Sequence, residues 1–310
     1  MTRKLLLVGL LLLGSLVMLF PLWWMLCVSF STPAQASAAA TSGSEFNWVP
    51  NLANWGNYPD ALRQMGVNPP AAISAEPPRG WLDAALRRLA AISRAYRGFL
   101  DALANTIVVT VLSVIGQVLS CSLVGYAFAR LRFRGRTPMF IVMIATMMLP
   151  AQVTMIPMFI LFRWFGWIDT ILPLVVPLFF GTPFYIFMFR QFFAQVPEAL
   201  VEAARIDGCG YLRTWWTIML PLCRPVIVMT AVFTFMFAWN DFLGPLIYLQ
   251  SEDQYTLAIA LNSFRNQYGG VNQVHLLMAA SIVTMLPCIL LFFVAQKQFV
   301  GGLQLGAVKG

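Results

Sequence analysis

Charge is scarce in this chain: of 310 residues only 20 are basic and 12 acidic, 10% in all, against 59% hydrophobic residues and a mean hydropathy of +0.75. Soluble globular domains carry about a quarter charged residues, so this balance excludes a soluble fold and implies a membrane protein. Histidine is represented by His275 alone, and none of the five cysteines stands in a Cys-x-x-Cys pair or beside a histidine cluster. The usual ligand sets for zinc and haem are missing, which argues against a metal-dependent enzyme and leaves no metal-site residue to name. The Gly-x4-Gly-Lys-Ser/Thr loop that cradles phosphates is also absent, so this chain is not expected to bind ATP by that route. The net charge of +8 is not gathered into one stripe, and nucleic acid is therefore not an expected partner.

What is present is a set of long apolar runs. A crossing helix needs about 20 mostly apolar residues to span roughly 30 Å of hydrocarbon. Six stretches qualify: from Leu5 to Phe30, about Ala104 to Ala129, Pro138 to Phe162, Ile171 to Phe189, Pro225 to Tyr248, and Leu276 to Ala295. The expected fold class is all-α, a polytopic membrane protein with six transmembrane helices. With the N-terminus inside, the inner side receives Arg3, Lys4, Arg130, Arg132, Arg134, Arg136, Arg190, Arg205, Arg213, Arg224, Lys297 and Lys309, while the short outer loops receive only Arg163 and Arg265. Cytoplasmic loops hold the basic excess, so both termini are expected in the cytoplasm. Arg3-Lys4, the apolar run and Ala34-Gln35-Ala36 also resemble a cleaved secretory signal, but that run is far longer than the ~7 to 15 apolar residues of a signal. Cysteines avoid the long outer segment, so no disulfide framework is expected.

Three parts follow. Residues 1–30 form a first transmembrane anchor, 31–103 an extracytoplasmic loop, and 104–310 a core with an inner loop at 190–224 and a tail at 297–310. Within the outer loop, Trp81, Leu82, Ala85, Leu86, Leu89 and Ile92 alternate with arginines, which predicts an amphipathic helix from Gly80 to Leu103 lying on the membrane or over the chain's own spans. Pro150, Pro157, Pro173, Pro177 and Pro183 should kink or interrupt the third and fourth spans. His275 is expected at the outer interface of the sixth.

The inner segment 190–224 is polar where its surroundings are not. Pro197-Glu198 is a good helix start, since proline presets the first residue and the carboxylate suits the positive end of the helix dipole. Asp207-Gly208-Cys209-Gly210 should end that helix, and a second should lead through Ile218, Leu220 and Pro221 back to the membrane. Two short helices about a glycine turn suit either a docking element or an ordinary loop along the membrane surface.

Glu202, Ala203, Ala204, Gly208, Ile218, Leu220 and Pro221, at their spacing and before the penultimate span, resemble the signature loop of bacterial ABC-importer permeases. Tyr126 to Phe133, Trp239-Asn240-Asp241-Phe242 and the ending Gly306-Ala307-Val308-Lys309-Gly310 are similar to the carbohydrate, maltose-type, branch of that family. The likeness runs from about Ala104 onward; the stretch from about Met65 to Arg97 looks longer than is usual there. The resemblance implies a permease subunit of an ATP-driven importer for a sugar, polyol or sugar phosphate, in the inner membrane of a prokaryote. It implies no catalytic residue and no cofactor here, with ATP and Mg on a partner ABC ATPase. It also implies a second permease subunit, an extracytoplasmic solute-binding protein and membrane lipid as partners. By that resemblance Glu202 and its helix fit a cleft in the ATPase, Ala203 and Ala204 allow close approach, and the tail reaches the ATPase interface.

Asp241 is an acid inside the fifth span, a costly placement that marks either function or a helix-fixing bond. Asn240, Asp241 and Gln152 are the pathway candidates, with Gln117 and Thr154 weaker ones. A stand-alone secondary transporter or channel is the alternative, with Asp241 as its key group; a polytopic membrane enzyme would need converging acids or histidines that the sequence does not offer.

Overall fold

The structure, a computed structural model, describes residues 2–41, 48–65, 96–267 and 273–307. Among these the regular elements are all helical. Four helices are long and apolar enough to cross a membrane: Lys4–Ser29, Arg97–Arg130, Leu172–Gln195 and Val274–Gln296. Two further helix pairs meet the same measure only as bent pairs, Arg136–Met148 with Ala151–Trp164 at 100° and Tyr211–Leu222 with Arg224–Asn240 at 83°. The number of spans is thus four, or up to six if each pair is one span.

The breaks have local causes. Leu149 and Pro150 are extended between the first pair; proline has no N–H to continue the ladder and disfavours helical geometry in the residue before it. The second pair bends at Cys223, just before the expected fifth span, and that span is itself interrupted at Asp241, whose ψ of 118° ends the Arg224–Asn240 helix before Leu243–Tyr248 begins. The fourth span reads Leu172–Val175, a tighter 3₁₀ stretch Val176–Phe180, then Pro183–Gln195 with Pro183 at its first position.

The helix that holds the second span begins at Arg97, upstream of Ala104; the rest of the predicted amphipathic helix lies largely outside the described residues. The Val274–Ala307 helix continues through Lys297 to Ala307. His275 stands in the first turn of that helix and is buried within the protein.

The chain divides into two compact units, Met1–Leu103 with Thr256–Pro287, and Ala104–Tyr255 with Cys288–Gly310. In the first, the end of the N-terminal helix is fastened by residues of the 48–65 segment. Asn57 Nδ2 donates to the carbonyls of Ser29 and Ser31 (2.8 and 3.0 Å) and Asn54 Nδ2 to that of Phe30 (2.7 Å), serving carbonyls a helix terminus leaves without partners. Trp55 stacks on Tyr58 at 5.1 Å, and both rings lie against Phe30.

In the second unit a buried cluster of Tyr126, Phe128, Ile186, Phe189, Phe193, Val201, Trp215, Met219, Cys223 and Val226 joins the C-terminal part of the Arg97–Arg130 helix to the Pro183–Gln195, Glu198–Ile206, Tyr211–Leu222 and Arg224–Asn240 helices. Farther along the second-span helix, buried Gln117 meets the discontinuity of the fourth span. Its amide, turned with Nε2 toward the Leu178 carbonyl (3.3 Å) and Oε1 toward Thr182 N (3.1 Å), serves backbone groups that the break frees. Ser120 Oγ also donates to Leu178 (3.2 Å).

Candidate functional site

The inner segment forms the two arms that its sequence predicts. Glu198–Ile206 starts after Pro197, and its end is closed by a Schellman turn: Gly208 N donates to the Arg205 carbonyl (3.0 Å) and Cys209 N to the Ala204 carbonyl (2.8 Å). Gly208 has φ +78°, the left-handed conformation that side chains penalise, so glycine is required there. The returning arm runs Tyr211–Leu222 and includes a π-turn at Trp215–Met219. That turn lies beside Pro221, whose ring crowds the carbonyl four residues back; widening the helix there relieves the clash. Across the turn the Arg205 guanidinium stands over the Tyr211 ring at 5.6 Å, bracing one arm against the other.

The seven signature positions divide between two faces. Val201 and Ala204 are buried against the unit's own core, while Glu202, Ala203 and Arg205 are exposed. Ala204 is therefore not free to lie against a partner, as its spacing three residues from Val201 puts both on the inward face. Leu220 packs against the core cluster, Ile218 is half-buried and Pro221 exposed. What the protrusion offers outward is Glu202 and Ala203 together with Ile206, at 86% one of the most exposed apolar residues, and Leu212 and Trp216. Apolar residues in that setting suit a surface made to be covered.

Each of the pathway candidates Asn240 and Asp241 makes a local bond to the backbone. Asp241 Oδ1 accepts from the backbone N of Gly244 (3.1 Å), a side-chain cap on the Leu243–Tyr248 helix. Asn240 is exposed and bonds back to the Met236 carbonyl (2.8 Å). Gln152 is exposed just beyond the Pro150 break, and among the described residues no hydrogen bond joins it to either. Thr154 bonds its own helix at Ala151, and Gln117 is committed to the fourth-span break. Among the described residues no group of three or more His, Cys, Asp or Glu side chains is placed to hold a metal.

Two side chains that sequence reasoning passed over do much of the tying. Arg130 sends Nε and Nη2 to the Phe193 carbonyl (3.0 and 2.6 Å) and Nη2 also to that of Val196. Asp169, left-handed at φ 64°, accepts from the backbone N of Gln250 and of Ser251 (both 2.8 Å) and from the Ser251 hydroxyl, while its own N donates to the Tyr248 carbonyl (2.8 Å). The Ser251 hydroxyl first, then the two backbone N–H groups, hold the Asp169 carboxyl below the ordinary carboxylate range. Arg130 stood inside a quoted motif with no role attached; Asp169 had no signal beyond being an acid in a short loop.

Residues 121–304 match the family described as the inner membrane component of binding-protein-dependent transport systems. The chain is 35% identical over 206 residues to the arabinooligosaccharides transport system permease protein AraQ of Halalkalibacterium halodurans, covering 66% of this chain and 73% of that one. It is 33% identical over 211 residues to the melibiose/raffinose/stachyose import permease protein MelC of Bacillus subtilis, with coverage of 66% and 75%. It is 32% identical over 199 residues to the sn-glycerol-3-phosphate transport system permease protein UgpE of Yersinia enterocolitica, with coverage of 64% and 70%. Its fold is similar to a chain of a bacterial ABC transporter involved in import of the acidic polysaccharide alginate, at a TM-score of 0.70 and 23% identity, covering 95% of this chain and 96% of the other.

Proposed function

We infer what the chain does from the premise that it belongs to the family of inner membrane components of binding-protein-dependent transport systems. It is the permease subunit of an ATP-driven importer for a sugar, a related polyol or a sugar phosphate, and it is not itself an enzyme. Six spans with both termini inside are the topology we assign, on the distribution of Lys and Arg, with the fifth from Pro225 to Tyr248 and the Tyr211–Leu222 helix on the inner side. A second permease completes the pathway, ABC ATPase subunits with ATP and Mg dock inside, and a solute-binding protein delivers the solute outside. The stand-alone transporter gives way to this reading, since the chain is similar over two thirds of its length to permease proteins of sugar transport systems.

The observation that carries the proposal is the protrusion Glu198–Leu222: a motif-bearing helix, closed by a left-handed glycine, with Glu202 and Ile206 outward and its other face fixed in the core. ATP-driven closure of the ATPases would push on that arm, and the shared core passes the push to the second and fourth spans. Glu202 would make a charge-assisted bond to a basic group of the ATPase. The test is purification in mild detergent from native membranes, with identification of the co-purifying chains and assay of ATP hydrolysis for wild type, Glu202→Ala and Gly208→Pro. A Walker-motif ATPase that co-purifies with wild type, and is released or uncoupled by either substitution, is the expected result. A chain that emerges alone, under conditions that preserve other membrane complexes, overturns it.

A further inference from the structure

Resting on the coupling-loop reading, we propose that Arg130 is the positioning residue that locks the joint between the fourth-span helix and the coupling helix, so that a push on Glu198–Ile206 also moves the Arg97–Arg130 helix. The joint consists of Val196 and Pro197, both extended with ψ of 131° and 133°, between a helix ending at Gln195 and one beginning at Glu198. Two extended residues carry no helical hydrogen bonds across them, so beyond the packing of Val201 and Ala204 in the core the angle of the coupling arm depends on what fixes the joint. Arg130 holds the joint at its near side: it donates to the Phe193 carbonyl inside the first helix and to the carbonyl of Val196, the first residue of the joint, so the coupling helix leaves from a fixed point. Its guanidinium is a rigid planar fork, suited to two acceptors at once, and it sits at the negative end of the helix dipole.

The same carbonyls would be served by water if Arg130 were absent, so the helix end does not need it to form. Water cannot link two elements to a third. The third element here is stiff and already in close contact, since Gly125 of the second-span helix lies against Phe189 of the 183–195 helix. Arg190, the next residue after Phe189, stands over the Phe140 ring at 4.2 Å, and Arg130 is the cation whose bonds reach the joint among the described residues.

The experiment uses the assembled complex in proteoliposomes with Arg130→Gln and Arg130→Lys, reading ATP hydrolysis with and without the loaded binding protein, solute uptake, and the apparent KM for ATP. Arg130→Gln is expected to assemble and to keep the KM, while stimulation by binding protein and uptake both fall about tenfold, the scale of losing charge-assisted bonds. Arg130→Lys, with the charge but not the fork, is expected to fall between. Normal stimulation in an assembled Arg130→Gln complex overturns the proposal. So does failure of both variants to assemble, which would make Arg130 a folding residue only. If wild type brings down no ATPase, the coupling reading itself has failed; if Glu202→Ala uncouples and Arg130→Gln does not, only the Arg130 assignment falls.

Discussion

Gly125 and Phe189 touch backbone to side-chain root: a Cβ built on Gly125 would stand 2.6 Å from the Cβ of Phe189 and 3.1 Å from the backbone N of Arg190. Neither neighbour is the yielding tip of a flexible chain, so the helices must separate to admit even a methyl group. Gly125→Ala is expected to destabilise by about 1–3 kcal/mol, as overpacked cores do. A lowered melting temperature of the purified chain in detergent checks this, and an unchanged one would mean the helices are not held at that spacing.

Cys209 is the one cysteine of the five that is not buried. Burial pushes the thiol of Cys223 up to about 12, so it stays protonated and unreactive at neutral pH. A maleimide should therefore label wild type once, at Cys209, and Cys209→Ser should remove the label. Addition of the ATPase should protect Cys209, because it closes the turn between the docking arms. Equal labelling with and without the ATPase would place the docking surface elsewhere.

Gly208→Ala puts a Cβ on a backbone at φ +78°, at a cost of about 1–2 kcal/mol, whereas Gly208→Asn should cost less. Nothing lies within 4 Å of the position, so the cost is conformational and not steric. Coupled ATP hydrolysis should fall in the order glycine, asparagine, alanine. Equal activity in all three would show that the turn adopts another form in the complex.

Asp169 sets a pH dependence whose sign follows from its lowered pKa. A carboxyl held below its unfolded value contributes stability that is complete above about pH 4 and is lost as pH falls through the folded value. Asp169→Asn keeps a residue tolerant of the left-handed backbone while removing the charge. The melting difference between wild type and this variant should be constant from neutral to mildly acid pH and shrink in stronger acid. A difference that grows on acidification would reverse the assignment.

Asp241→Asn retains an oxygen for the Gly244 N–H and should transport nearly as wild type does, while Asp241→Ala should lose about 0.5–2 kcal/mol of stability with the cap. Uptake abolished by the asparagine, in a protein that melts normally, would restore Asp241 to the pathway.

The inner protrusion was legible because its signals are local: Pro197-Glu198 starts a helix and Gly208 ends it whatever surrounds them. The spans were legible as apolar mass but not as geometry. Hydropathy reads Pro138 to Phe162 as continuous, and only the packing decides whether Pro150 kinks the helix or turns it through 100°. For Asp241 the sequence shows its place inside an apolar run and not its partner, the backbone of Gly244. Asp169 and Arg130 act on backbone groups many residues away, and side-chain-to-backbone bonds leave no pattern in a single sequence because any residue type supplies the acceptor or donor.

Ile206, Leu212 and Trp216 have a consequence for the life of the subunit before it works. In the proposed topology they face the cytosol, apolar and uncovered, from the moment the protrusion folds. On the proposed reading, a copy made without an ATPase partner would wear the surface that proteases and chaperones read as unfinished protein. The surface proposed to transmit force in the complex would therefore also keep count, marking for removal permease chains that outnumber their motor.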